Sequence, residues 1–118
     1  MSNFIDEAEK SHTYSVFQIK NDDKKSKNRN HKFYVVSKLD EPDAVLNMVR
    51  SMASSPTAGG GAKEISGDMK KVGKDYKEKY SVIKVRGGLS KEKANALKSN
   101  LIDKAGAPKV YNQIQPVN

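Results

Sequence analysis

The spacing of hydrophobic positions changes period along the chain, and the changes mark its elements. From Tyr14 to Lys20, Tyr14, Val16, Phe17 and Ile19 alternate with polar residues, slightly out of strict period, which predicts a strand. Lys32 to Lys38 carries Phe33-Tyr34-Val35-Val36, nearly all β-formers, and predicts a second strand. Asn21-Asp22-Asp23 turns the chain between them, so the simplest arrangement is an antiparallel hairpin closed by a polar loop. The period then becomes helical. Asp40-Glu41-Pro42-Asp43 supplies a cap, a tolerated first-turn proline and acids at the positive helix end. Val45, Met48, Val49 and Met52 follow as one apolar stripe, which reads as core because methionine fills irregular gaps.

The second half repeats the alternation of periods. Pro56 and Gly59-Gly60-Gly61 predict a flexible loop over residues 55–65; it is no phosphate-binding Walker loop, since no Gly-Lys-Ser/Thr follows. A second helix is expected over Ser66–Tyr76, weakened by Gly73. Tyr80, Val82, Ile83 and Val85 predict a buried strand, and Gly87-Gly88 a turn. Ser90 caps a last helix with Glu92 in its first turn and Ala94, Leu97, Leu101, Ile102 and Ala105 along one face. Gly106 ends it, Pro108 prevents its continuation, and Val110-Tyr111-Asn112 closes the pattern as a short strand. Residues 2–10 fit a short terminal helix capped by Ser2. The fold class is therefore α+β: a small mixed or antiparallel three-stranded sheet flanked by helices, in the order β-β-α-(α)-β-α. An N-terminal extension (1–13), one domain (14–112) and a loose tail (113–118) complete the organisation.

Composition narrows the function classes. The 118 residues suffice for one small core, with 36% hydrophobic and 31% charged residues and no tryptophan. Cysteine is absent, which excludes disulfides, thiolate metal sites and a thiol nucleophile and fits a reducing cytoplasm. No signal peptide or membrane-spanning run is evident, so no membrane partner is expected. The net charge of +8 favours a polyanion: DNA, RNA or an acidic protein surface. Lys24, Lys25, Lys27, Arg29 and Lys32 crowd the hairpin loop, and Lys70, Lys71 and Lys74 stud the second helix; with Arg86 and Lys98 they are the candidate phosphate contacts. Tyr76 or Tyr80, if exposed, would add base stacking. His12 and His31 make a weak metal case, Asp22-Asp23 reads as a turn, and no Ser-His-Asp order or nucleophile elbow occurs, so neither metal nor cofactor is expected.

Several phrases over residues 14–112 together resemble a GIY-YIG nuclease domain. Ser15-Val16-Phe17-Gln18-Ile19 stands at its first motif and Phe33-Tyr34-Val35-Val36-Ser37 at its second. Val72-Gly73-Lys74-Asp75-Tyr76, Leu89-Ser90-Lys91-Glu92-Lys93-Ala94 and Tyr111-Asn112 match later phrases. The resemblance implies the fold just described, and a cleft in which Phe17, Tyr34 and Lys98 would meet. It also implies metal-assisted phosphodiester hydrolysis by a tyrosine, an arginine and a metal-holding glutamate. Here Phe17 lacks the first hydroxyl, Tyr34 keeps the second, the arginine position falls near Ala44, and Lys98 stands at the glutamate position. Arg50, on the same helix as Ala44, lies off its apolar stripe and is not assigned the missing role. The Lys98 ammonium at the glutamate position repels a cation; it either snorkels over the apolar helix face or meets an anion. The expectation is a non-catalytic nucleic-acid-binding shell. The alternative is a small protein-interaction or inhibitory factor, of the kind phages encode against a host enzyme or defence protein.

Overall fold

The computed structural model describes residues 13–52, 61–106 and 109–113. The expected terminal helix over 2–10 and most of the glycine-rich loop lie outside them. Three strands form one antiparallel sheet: β1 (Tyr14–Asn21), β2 (Lys32–Ser37) and β3 (Tyr80–Leu89), in the order β2-β1-β3. Among the described residues three helices flank it: α1 (Pro42–Ser51), α2 (Ala62–Val72) and α3 (Lys91–Ala105). The order and class are those that the hydrophobic periods predict.

Register assigns the faces. Phe17 pairs with Val35 and Ile19 with Phe33, while Gln18 pairs with Tyr34 between them. Neighbouring strand residues point to opposite faces, so Phe17, Ile19, Phe33 and Val35 line one side. There they join Val45 and Val49 of α1 and Ile65 and Met69 of α2 in the main core. The other side carries Val16 and Tyr34 and receives α3, whose Ala94 is fully buried.

Several boundaries differ from the sequence expectation. α2 begins at Ala62, not Ser66, and ends at Gly73; Tyr76–Glu78 is a separate 3-10 turn. Gly61 precedes α2 with φ of +82°, and a Cβ there would fall 1.9 Å from the carbonyl oxygen of Tyr111. A residue with a side chain is excluded both by conformation and by space. The start of α2 and the C-terminal segment thus touch through backbone. α1 is preceded by Glu41 rather than capped by Asp40, which instead forms an ion pair with Lys84.

β3 is the largest correction. Tyr80 is buried and Val82 half-buried, but Ile83 is 54% and Val85 38% exposed. With β1 in the centre, β3 is an edge strand, and Ile83 lies opposite Gln18 rather than over the main core. Gly87 and Gly88 belong to the strand, where register shifts between Tyr14 and Phe17 take up extra β3 residues. Such bulges accommodate unequal strand lengths. Val110 makes only a single parallel bridge to Lys32 before a 3-10 turn at Tyr111–Gln113. Asn112 supplies what a strand would: its side-chain amide donates to the Tyr34 carbonyl and accepts from the Tyr34 amide, both at 2.8 Å.

Candidate nucleic-acid interface

The β1–β2 loop is more ordered than its lysine and asparagine content suggests. Asn21 is fully buried at its base, and its side-chain oxygen accepts from the Asp23 amide at 2.8 Å. Asp23 in turn accepts from the Lys25 amide, and Ser26 Oγ from the Asn28 amide, both at 3.1 Å. These side chains take the place of backbone partners and set successive turns. The backbone pair Asn21–Asn30 closes the loop, with Asn30 at φ of +71°.

A buried polar chain ties this loop to α2 and to the C-terminal segment. Asn21 donates to Ser26 Oγ at 3.0 Å and to the Tyr111 hydroxyl at 2.9 Å. Tyr111 donates to Asp68 Oδ2 at 2.7 Å, and Asn28 donates to the same oxygen at 2.8 Å. Tyr111 and Asn21 are fully buried, and Asp68 is 8% exposed. The Tyr80 hydroxyl is buried beside Tyr111 and near Asp68, with no partner at hydrogen-bonding geometry. Burial pushes both tyrosines far above the ordinary phenol range, and the Asp68 charge adds to the effect. Both hydroxyls therefore stay protonated at neutral pH. Apart from the Tyr80 hydroxyl every member of the cluster is hydrogen-bonded, and such a chain fixes one arrangement, because each further orphaned member would cost the desolvation of a buried group.

Asp68 is also the inner wall of a surface depression of about 830 Å³. Lys24, Lys25 and Lys27 enter it from the loop, Lys71 from α2, and Lys79 from the residue before β3. None of these five lysines makes an ion pair among the described residues; the pairs present are Lys20–Asp22, Lys77–Asp43 and Lys84–Asp40. Asp22, Asp23 and Glu78 lie on the same rim, so the depression is mixed in charge with a lysine excess.

The other candidates separate. Lys70 and Lys74 are exposed but do not line the depression, and Arg29 is exposed on the loop outside it. Lys32 lies at the bridge to Val110, and Arg86 on β3 opposite Val16. Lys98 lines a second cleft of about 310 Å³ together with Tyr34, Asn95 and Asn112. Tyr34 donates there to Gln18 at 3.0 Å, and burial raises its pKa. Phe17 does not join them: it is completely buried on the opposite face of the sheet. The three-residue cleft reduces to Tyr34 and Lys98. Stacking by Tyr76 or Tyr80 is excluded as well, since they are only 6% and 5% exposed. The Arg50 guanidinium covers the Tyr76 ring at 5.0 Å.

In the sequence, Lys79 and Asp68 fall in a mixed, solvated run that could help line a phosphate-facing groove, and neither is singled out. Lys79 sits in a mixed run with no periodicity. Asp68 lies on a helix surface position by pattern, and only the tertiary return of Tyr111 and Asn28 buries it. Among the described residues, no group of three or more His, Cys, Asp or Glu side chains is placed to hold a metal ion. No described helix is long and apolar enough to cross a membrane. No protein-family model, curated protein or solved structure matches the chain.

Proposed function

We propose that this chain is a non-catalytic binding module for nucleic acid that seats phosphates on the lysine rim between the β1–β2 loop, α2 and the start of β3. One observation carries the reading: five lysines from three separate segments face one depression, and none is neutralised by an ion pair. Asp22, Asp23, Asp68 and Glu78 offset much of this charge, but the unpaired ammonium groups remain available to a polyanion that reaches several of them at once. The loop that presents three of them is held by the buried Asn21–Tyr111–Asp68 chain, so little order has to be gained on binding. The resemblance to a GIY-YIG shell whose arginine and glutamate positions are lost supports binding without cleavage.

Affinity carried by about five phosphate contacts falls steeply with salt, by roughly 100-fold on a single strand between 50 and 200 mM. Replacing Lys24, Lys25 and Lys27 together with alanine should flatten that slope and weaken binding by a similar factor. Binding that is indifferent to salt, or unchanged in the triple variant, overturns the reading.

The open edge of β3 favours a second reading, docking on another protein. Ile83 and Val85 are exposed on a strand whose outer edge pairs with no other strand among the described residues, the type of surface that pairs with an added strand. A protein partner that survives nuclease treatment and is released by Ile83→Lys would support it; retention by that variant would count against it.

A further inference from the structure

The lysine depression has a wall that phosphate alone does not explain. Asp68 lines it, yet is 8% exposed and held in place from behind. Both of its hydrogen bonds, from Tyr111 and from Asn28, fall on Oδ2. Among the described residues, Oδ1 accepts no hydrogen bond and forms no ion pair with the surrounding lysines. Oδ1 is therefore reachable from the depression, since it is not among the fully buried side-chain atoms that lack a partner, and with Oδ2 anchored from behind it is a fixed, pre-organised acceptor. A phosphate oxygen brought against it is repelled. A nucleic acid whose phosphates rest on the rim gains affinity by presenting a hydrogen-bond donor to this wall.

The N–H donors of unpaired bases are common to DNA and RNA and do not distinguish them, and the backbone of DNA has no donor of its own. Every ribonucleotide has one, the 2′-hydroxyl, a sugar's width from its phosphate. The tyrosines nearby are buried, so flat base stacking does not compete for the role. Resting on the proposed phosphate-binding role of the rim, we propose that Asp68 accepts a hydrogen bond from a ribose hydroxyl and that the module selects RNA over DNA.

The Asp68→Asn variant isolates the effect. Its single side-chain oxygen can keep both bonds from Tyr111 and Asn28, because both are donors. The amide nitrogen then replaces Oδ1, turning the exposed acceptor into a donor at constant shape and removing one negative charge. Fluorescence anisotropy at fixed salt would compare oligouridine, oligodeoxyuridine of equal length and inorganic polyphosphate. The wild type should bind oligouridine about tenfold more tightly than its deoxy counterpart, the worth of one hydrogen bond to a charged group. Asp68→Asn should abolish that preference while binding polyphosphate more tightly than the wild type does. Equal binding of the two oligomers by the wild type overturns the proposal, as does a variant in which all three affinities move alike. Salt-dependent binding of polyphosphate with no ribose preference would leave the phosphate-binding rim standing and remove only the role of Asp68. Absence of binding to all three removes both. Should the variant fail to fold, NMR of the wild type gives the same decision. The Asn28 side-chain amide should shift with uridine 3′-monophosphate and not with 2′-deoxyuridine 3′-monophosphate; equal shifts overturn the proposal.

Discussion

The two faces of the sheet are stabilised very differently. On one, Phe17 and Ile19 of the sheet, Val45 and Val49 of α1 and Ile65 and Met69 of α2 are all completely buried. On the other, α3 runs for 15 residues and buries only Ala94. Leu97, Leu101 and Ile102 are half-buried. Yet α3 has the better local signals, with Ser90 accepting from the Lys93 amide at 3.2 Å and Gly106 at its end, whereas α1 and α2 have no side-chain cap. Caps and periodicity determine that a helix forms; what it meets determines how much it contributes. The lysine depression grows out of the well-packed side, since Asp68 and Lys71 stand on the helix that carries Ile65 and Met69.

The sharpest test of this asymmetry compares truncations on the two sides. Phe17→Ala should destabilise by about 3–5 kcal/mol, the cost of a large cavity in a closed core. Leu97→Ala on α3 should cost roughly 1 kcal/mol, because its side chain is already partly in water. Urea denaturation followed by far-UV circular dichroism reads both. Equal shifts in midpoint would mean that α3 is as firmly seated as α1 and α2.

The link between the loop and the core is next in size. Tyr111→Phe removes the donor to Asp68 Oδ2 and the acceptor for Asn21, leaving two buried polar groups short of a partner, at a cost of about 2 kcal/mol. The same hydroxyl gives a pH signature. Tyr111 and Tyr80 are raised in the folded state by burial, whereas in the unfolded chain they ionise near an ordinary value of about 10. Above that pH the unfolded state binds fewer protons than the folded one, so stability is complete below about pH 10 and falls as pH rises beyond it. Urea midpoints at pH 8 and 11 should differ markedly in the wild type and less in Tyr111→Phe. An equal alkaline loss in both would show that Tyr111 does not carry it.

Element order was legible because each change of hydrophobic period is a local property. Val45, Met48, Val49 and Met52 predicted α1 without reference to anything distant, and Ser90 and Gly106 bracketed α3. What failed depended on sheet position. Ile83 and Val85 read as buried because strand propensity does not distinguish a central strand from an edge. Phe17 and Tyr34 were placed in one cleft by motif alignment, and only the observed register, with Phe17 opposite Val35 and Gln18 opposite Tyr34, sends them to opposite faces. The loop lysines were recognised as a group from charge, but their convergence with Lys71 and Lys79 required the chain to return twice. Asp68 shows the limit most clearly: a carboxylate among lysines reads as a solvated helix surface until Tyr111, 43 positions later, closes over it.

The smallest expected effect bears most directly on whether the thin face is an independent unit. Ser90→Ala removes the cap that accepts from the Lys93 amide, at a cost of about 1 kcal/mol. If α3 opens apart from the rest, that loss lowers amide-exchange protection within Lys91–Ala105 and leaves the strongly protected amides of β1, α1 and α2 almost unchanged, because sub-global opening exposes only the element that moves. The same variant should then bind polyanions as the wild type does, since no α3 residue lines the lysine depression. A uniform loss of protection across β1, α1, α2 and α3 would instead place all four in one cooperative unit. The contrast between the faces would then describe burial alone and not stability.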